Sequence, residues 1–407
     1  MKRIKQIIFS DFFDTLTNGA LVLFAYWYIY DVTHNQNYIS LLGLISMLAT
    51  LFTFIGGYFS DRMNRIALLK IVVLIRILNT SFGLVIYLLM NNPILGVMMT
   101  VVINSVLNIV YSPLTESIVP SIVHDRDDLV TANSWVSITN QLASVLSAGL
   151  SAIFIFFGNV GAGLVLSLIL YSVSYFLIGR LNSTQAPEAN HEASSSLSIQ
   201  TSNFFEGIKI IRSNTLIAVI VPIALVTNFC FWTVWLLMPK LSIDIFSEFK
   251  YMYNAVDLAF TVGSILGAFL VNAKHSDTKI FTAKSFPYFL FLQGFMILLI
   301  GFFSLLQRGI FGVVLAWLGY GICNATGSIL YFSTVQLSVP NQHIGMVIGA
   351  ILTIFSVANP IAAIASAPLS HLAATPSIVL CLGLVMMIAA IPVFEKVISD
   401  LIKVDAD

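Results

Sequence analysis

Few charged residues interrupt the apolar runs of this chain, and each interruption is therefore a candidate for chemistry. Asp14 lies seven residues into the run Ile7 to Tyr30, about 10 Å along a helix that rises 1.5 Å per residue. Asp257 stands before Gly263 and Gly267 in the run Tyr253 to Ala273. An ionisable group at bilayer depth costs at least ~2.5 kcal/mol on insertion scales, so a functional role is its default reading. Either carboxylate could take up and release a proton; the structural alternative is an interfacial or helix-start acid in water. Arg76 is ten residues into the run Ile66 to Met90, too deep to reach water easily by extending its side chain. A buried cation needs an anion, and Asp14 and Glu116 are the candidates in the first half. A structural ion pair there weighs at least as much as a substrate contact.

Other reactive residue types carry less. His124, Asp125, Asp127 and Asp128 surround Arg126 and read as a solvated helix-start cluster rather than a metal site. Cys230, Cys323 and Cys381 are odd in number and lie within apolar runs, which supports neither a disulfide framework nor a CxxC metal site. There is no P-loop, no HExxH and no GxSxG in a suitable context, so neither direct ATP drive nor an enzyme is expected. No cofactor is implied.

The elements that hold these residues follow from composition. Of 407 residues, 58% are hydrophobic and 9% charged, with a mean hydropathy of +0.94, too little polar surface for a water-facing exterior. Dividing the length by the roughly 20 residues that span a ~30 Å hydrocarbon core leaves room for about a dozen crossings. Twelve runs qualify: Ile7 to Tyr30, Tyr38 to Ser60, Ile66 to Met90, Ile94 to Ile118, Ala132 to Phe157, Gly161 to Leu181, Leu216 to Met238, Tyr253 to Ala273, Phe286 to Leu306, Ile310 to Phe332, Ile344 to Ala367 and Ile378 to Phe394. Backbone groups in lipid must be satisfied within the segment, so runs of this length are helices, not barrel strands. The basic start could imitate a secretory signal, but Asp11 and Asp14 interrupt the first run and no small-residue cleavage site precedes the polar loop Asp31 to Asn37.

Lys and Arg orient the array. With the N-terminus inside, that side collects fifteen: Lys2, Arg3, Lys5, Arg62, Arg65, Lys70, Arg126, Arg180, Lys209, Arg212, Lys274, Lys279, Lys284, Lys396 and Lys403. The outer side collects three, Lys240, Lys250 and Arg308. This bias predicts both termini in the cytoplasm of a bacterial-type inner membrane.

Residues 182–203 are rich in Ser, Asn, Gln and Glu, the composition of a solvated linker dividing six spans from six. The expected organisation is an N-terminal six-helix bundle over 1–181, a cytoplasmic linker over 182–212 and a C-terminal bundle over 213–407. Phe204, Phe205, Ile208 and Ile211 stand at helical spacing opposite Glu206, Lys209 and Arg212, predicting a short amphipathic helix at the cytoplasmic interface, with a purely cytosolic helix as the alternative. The halves also echo each other: Gly56-Gly57 through Asp61 after the second span answers Gly267-Ala268 through Asn272 after the eighth, and Val119-Pro120 answers Val339-Pro340.

Gly57-Tyr58-Phe59-Ser60-Asp61-Arg62-Met63-Asn64-Arg65 resembles the signature loop between the second and third spans of the major facilitator superfamily. Gly57, Asp61, Arg62 and Arg65 match; Phe59 and Asn64 depart from the usual Leu and Gly. An acid flanked by arginines can form and break ion pairs as two halves rock, the gating role the resemblance implies. Ser112-Pro113, Val119 to Val123, Leu129, Ala132-Asn133, Gln336, Val339-Pro340, Gly345 and Asn359-Pro360 resemble the macrolide-efflux and enterobactin-exporter-like branch. Met346 and Ala148 depart from it, standing where relatives commonly carry Arg and Pro.

The resemblance implies an all-α integral membrane fold of twelve transmembrane helices in two pseudo-symmetric six-helix bundles, with spans one, four, seven and ten lining a substrate cavity. On those spans stand Asn18, Tyr26 and Trp27; Asn104, Asn108 and Tyr111; Asn228, Phe229, Trp232 and Trp235; and Asn324 and Tyr331. Aromatic surface with scattered amides suits an amphipathic ligand, although Trp27 and Trp235, near outer ends, read better as interfacial belt residues. The implied protein is a monomeric secondary transporter, a proton-coupled exporter of small hydrophobic or amphipathic compounds, with no nucleic-acid partner. A siderophore or lysophospholipid transporter, or an uncoupled receptor or scaffold, are the alternatives.

Overall fold

A helix satisfies its own backbone, and apolar runs surrounded by lipid have no cheaper way to do so. In the computed structural model, which describes residues 2–53, 55–56, 59, 63–90, 92–122, 126–180, 206, 208–273, 285–306, 309–339 and 344–404, the regular structure of the described residues is helical and contains no strand. Twelve helices follow one another: α1 (Lys2–Thr33), α2 (Gln36–Leu51), α3 (Arg65–Met90), α4 (Pro93–Ile122), α5 (Arg126–Phe157), α6 (Val160–Gly179), α7 (Thr215–Asp244), α8 (Met252–Ala273), α9 (Phe286–Leu305), α10 (Ile310–Ser338), α11 (Ile344–Leu372) and α12 (Thr375–Val404). Eleven of them are long and apolar enough to cross a membrane. The exception is α2, described over sixteen residues, beyond which residues 53, 55, 56 and 59 are also helical.

Large apolar side chains cover the outside: Leu89 is 81% exposed, Phe311 79% and Phe156 70%. In water such a surface would aggregate; against acyl chains it costs nothing. Several helices outrun their apolar runs, α12 continuing to Val404 past Phe394. The expected polar loop Asp31 to Asn37 is shorter than its composition suggests. Helix α1 continues to Thr33, whose hydroxyl donates to the Ile29 carbonyl at 2.6 Å. His34 then turns the chain with φ 46°, and the Asn35 side chain caps α2 by accepting from the Asn37 amide at 2.9 Å. A single left-handed residue followed by a cap makes the reversal without a longer loop.

The chain divides into two compact units, Met1–Ser194 and Ser195–Asp407. Within the first, α1 packs on α5 and α6, α3 on α4 and α6, and α2 on α4. Within the second, α7 packs on α11 and α12, α9 on α10 and α12, and α8 on α10. The second pattern is the first moved on by six helices. The glycine echo falls on it: a β-carbon on Gly56 would meet the Ile109 backbone carbonyl of α4, and one on Gly267 would meet that of Ile322 of α10. Small residues let these helix pairs approach closely.

Most of the expected linker, residues 181–205, lies outside the described residues, including Phe204 and Phe205. Of the expected amphipathic segment, residues 206 and 208–212 are helical, with Lys209 and Arg212 exposed. Ile211 is buried in an apolar cluster with Ile217, Ile220, Val335 and Val393.

Candidate functional site

The first unit places a charged network among its helices. Arg76 of α3 is fully buried and forms an ion pair with Asp14 of α1. Its Nη2 donates to Asn108 Oδ1 of α4 at 2.6 Å, and its guanidinium lies over the Tyr111 ring, 4.3 Å from the centroid. Arg suits this position because its planar fork bonds through the edge while its face stacks on an aromatic. Three helices are tied by one side chain. Between the two possible anions, Asp14 holds Arg76; the Glu116 side chain lies outside what is described.

Above this pair the Tyr111 hydroxyl donates to Asp11 Oδ1 at 3.0 Å. Asp11 and Asp14 are three residues apart on α1 and so share a face. Asn79 Nδ2 donates to Asn104 Oδ1 at 3.0 Å and to the Thr100 carbonyl at 2.9 Å. Asn104 in turn donates to the Tyr171 hydroxyl at 3.2 Å. Asn104 therefore bonds within the bundle, joining α3, α4 and α6, and does not line the cavity described next.

That cavity, of about 300 Å³, opens beside the ion pair. Asp11, Asp14, Asn18, Arg76, Asn108 and Asn140 supply much of its polar lining. Of the residues singled out from the sequence, Asp14, Asn18, Arg76, Asn108 and Tyr111 come together here. Sequence reasoning missed Asp11 and Asn140 as site residues. Asp11 could have been found from its helical register with Asp14, whereas Asn140 arrives from α5 only through tertiary packing. Tyr26 is buried on α1 at 5% exposure and is not part of the lining.

The second unit is different in kind. Phe231 of α7 stacks on Tyr320 of α10, with centroids 5.3 Å apart and planes 1° from parallel. Trp317 meets Phe231, Trp235 and Phe260 edge-on at 6.2, 5.5 and 6.2 Å. The Trp235 ring also lies 6.3 Å from that of Tyr253, and Trp235 is half-buried against the rings of its own unit. Trp27 is buried, at 9% exposure.

Asp257 shares the α8 face of Tyr253 and Phe260, by spacings of four and three, and is half-buried. Trp232 contacts Phe231 edge-on at 5.3 Å, and Asn228 Nδ2 donates to the Ala224 carbonyl at 3.3 Å. Phe229 and Asn324 are half-buried. Tyr331 is buried against Phe286 and Phe355 in the unit's apolar cluster. Gly57, Asp61 and Arg62 of the expected gating loop lie outside the described residues, while Arg65 begins α3. The side chain of Met346 is also outside them; Ala148 is buried on α5 at 2% exposure.

The sequence model of the Major Facilitator Superfamily matches residues 7–363 of the chain. The chain belongs to that superfamily. Among solved structures, this facilitator superposes on the nucleoside transporter NupG with a TM-score of 0.75 at 14% identity, covering 98% of this chain and 99% of that one. A POT family transporter in complex with a thioalcohol-conjugated peptide gives 0.71 at 13% identity, with 97% and 96% covered. A bacterial homologue of the human lysosomal transporter Spinster gives 0.63 at 11% identity, with 97% and 95% covered. Likeness at such identities establishes the fold and carries no substrate. No curated protein matches the chain. The superfamily consists of multi-pass transporters of small molecules, so this facilitator is a membrane transporter.

Proposed function

We propose that the protein is a secondary active exporter of hydrophobic or amphipathic small molecules, working by alternating access and driven by proton entry. The observation that carries this reading is the polar network of the first unit, in which Arg76, Asp14 and Asn108 are joined beside a cavity within a helical membrane scaffold. Buried charge at such depth is retained where it does work. Asp14 and Asp257 are the proposed proton carriers, and Arg65 with Gly57, Asp61 and Arg62 the gating loop. Asn18, Asn108, Asn228, Phe229, Trp232 and Asn324 are the proposed substrate contacts, with Glu116 as a further buried charge. The macrolide-efflux and enterobactin-exporter-like branch is the proposed placement within the superfamily. The proposed setting is a bacterial-type inner membrane, with both termini and the 182–212 linker cytoplasmic and a monomer as the working unit.

The test is flux. Proteoliposomes carrying an imposed pH gradient and a panel of macrolide-like and other amphipathic compounds should accumulate at least one compound. Asp14→Asn and Asp257→Asn should each reduce that gradient-driven flux at least tenfold. Gradient-independent flux, or flux unchanged in both variants, would remove proton coupling from the account.

A further inference from the structure

The cavity in the first unit has a charge balance and a set of orphaned atoms that its ion pair does not explain. Among the described residues its lining contains two carboxylates, Asp11 and Asp14, and one cation, Arg76. With both acids ionised the balance is −2 + 1, one negative charge uncompensated. The guanidinium is committed to Asp14 and Asn108 by hydrogen bonds and to the Tyr111 ring by its face. Asp11 is left with neutral partners, the Tyr111 hydroxyl and the Asn140 side chain.

The orphaned atoms are mostly acceptors. Asp14 Oδ1 and Asn140 Oδ1 are buried with no hydrogen-bond partner, on residues that both line the cavity. Asp14 itself is 1% exposed. Among the described residues, Arg76 Nε is the one orphaned donor on the lining. An unpaired buried acceptor costs more than a bond returns, so a site that keeps two of them beside a surplus carboxylate is short of positive charge. The lining oxygens come from carboxylates, amides and hydroxyls, with no imidazole or thiolate among them. That donor set suits a hard cation and not a soft transition metal.

We propose that this cavity is a site for one monovalent cation, held by the Asp11 carboxylate together with Asp14 Oδ1 and Asn140 Oδ1. A single positive charge closes the balance, and a divalent ion would overshoot it beside Arg76. Sodium and the proton share this chemistry. A proton occupies one oxygen and satisfies one acceptor, whereas sodium draws on all three oxygens. The groups facing Asp11 are Asp14 on its own helix, Arg76 from α3, Tyr111 from α4 and neutral Asn140 from α5. Tyr171 of α6 stands 6.0 Å from the Arg76 guanidinium, and α2 contributes nothing to the lining. The site's part in coupling rests on the transport reading above; its occupancy does not.

Unfolding of the purified full-length protein in detergent tests occupancy without any transported compound. At pH 9, sodium chloride is compared with choline chloride at equal ionic strength, since a ligand that binds only the folded state raises the unfolding midpoint in a saturable way. The expected result is a sodium-specific rise that Asp11→Asn abolishes. Asn140→Ala leaves every charge in place, so it should fold normally and weaken apparent sodium affinity about tenfold, as loss of 1.4 kcal/mol would.

If sodium and choline are indistinguishable, but raising the pH from 6 to 9 lowers the midpoint of the wild type more than that of Asp11→Asn, the bound cation is a proton. Asn140→Ala should then follow the wild type. If neither sodium nor pH separates the wild type from Asp11→Asn, the cavity is a pocket of water and the proposal is wrong. Because the readout is stability, a positive result can coexist with failed proton-driven export, and a negative one with observed export.

Discussion

The two six-helix units are alike in how their helices pair and opposed in what they enclose. In the first, α1, α3 and α4 surround an arginine, two aspartates and a cavity. In the second, α7, α8 and α10 surround stacked and edge-on rings, with Trp317 fully buried. The difference teaches that the pairing pattern does not depend on the chemistry of the interior. Close approach at small residues and lipid-facing apolar surfaces set the pairing. The interior is then free to hold charge in one unit and aromatic surface in the other.

The sharpest way to break this contrast is to remove the charge that only the first unit has. Arg76→Met leaves Asp14 buried without its cation, which should cost ~3–5 kcal/mol. Adding Asp14→Leu should recover most of that loss, because an apolar pair needs no compensation. Denaturation of the two variants in detergent checks this, and a single substitution without effect would mean the network is not structural.

The likeness between the units is tested next. Gly56→Ile and Gly267→Ile each force a branched side chain against a neighbouring backbone carbonyl, and overpacking of this kind costs ~1–3 kcal/mol. Equal losses would show that α2 on α4 and α8 on α10 are equivalent joints; a loss in one alone would break the equivalence.

Smallest are the individual bonds within each interior. Asn104→Leu removes an amide that bridges α3 and α6, and interhelical bonds of this type are worth ~0.6 kcal/mol, at most about 1.7. Phe231→Leu removes the ring stacked on Tyr320, a loss of ~0.5–1.5 kcal/mol beyond area. Unfolding midpoints for both, with tryptophan fluorescence moving only in Phe231→Leu, would confirm that the networks are separate.

What the residues determined by themselves was the solvent, the number of helices and the existence of two related halves. Those properties are summed over many residues, and no single misplacement changes them: twenty apolar residues must become a helix wherever they are packed. The importance of Asp14 and Arg76 was legible for the same reason, since a charge in an apolar run announces its own cost. Tertiary structure alone decided their partnership. Asp14 and Arg76 are sixty-two residues apart, and Glu116 was an equal candidate until the helices were placed. Asn140 joined the cavity from α5, Asn104 turned to its neighbours instead, and Trp235 met the Trp317 ring of α10. Helical period fixes which residues share a face, but which face meets which neighbour is a property of the packed bundle.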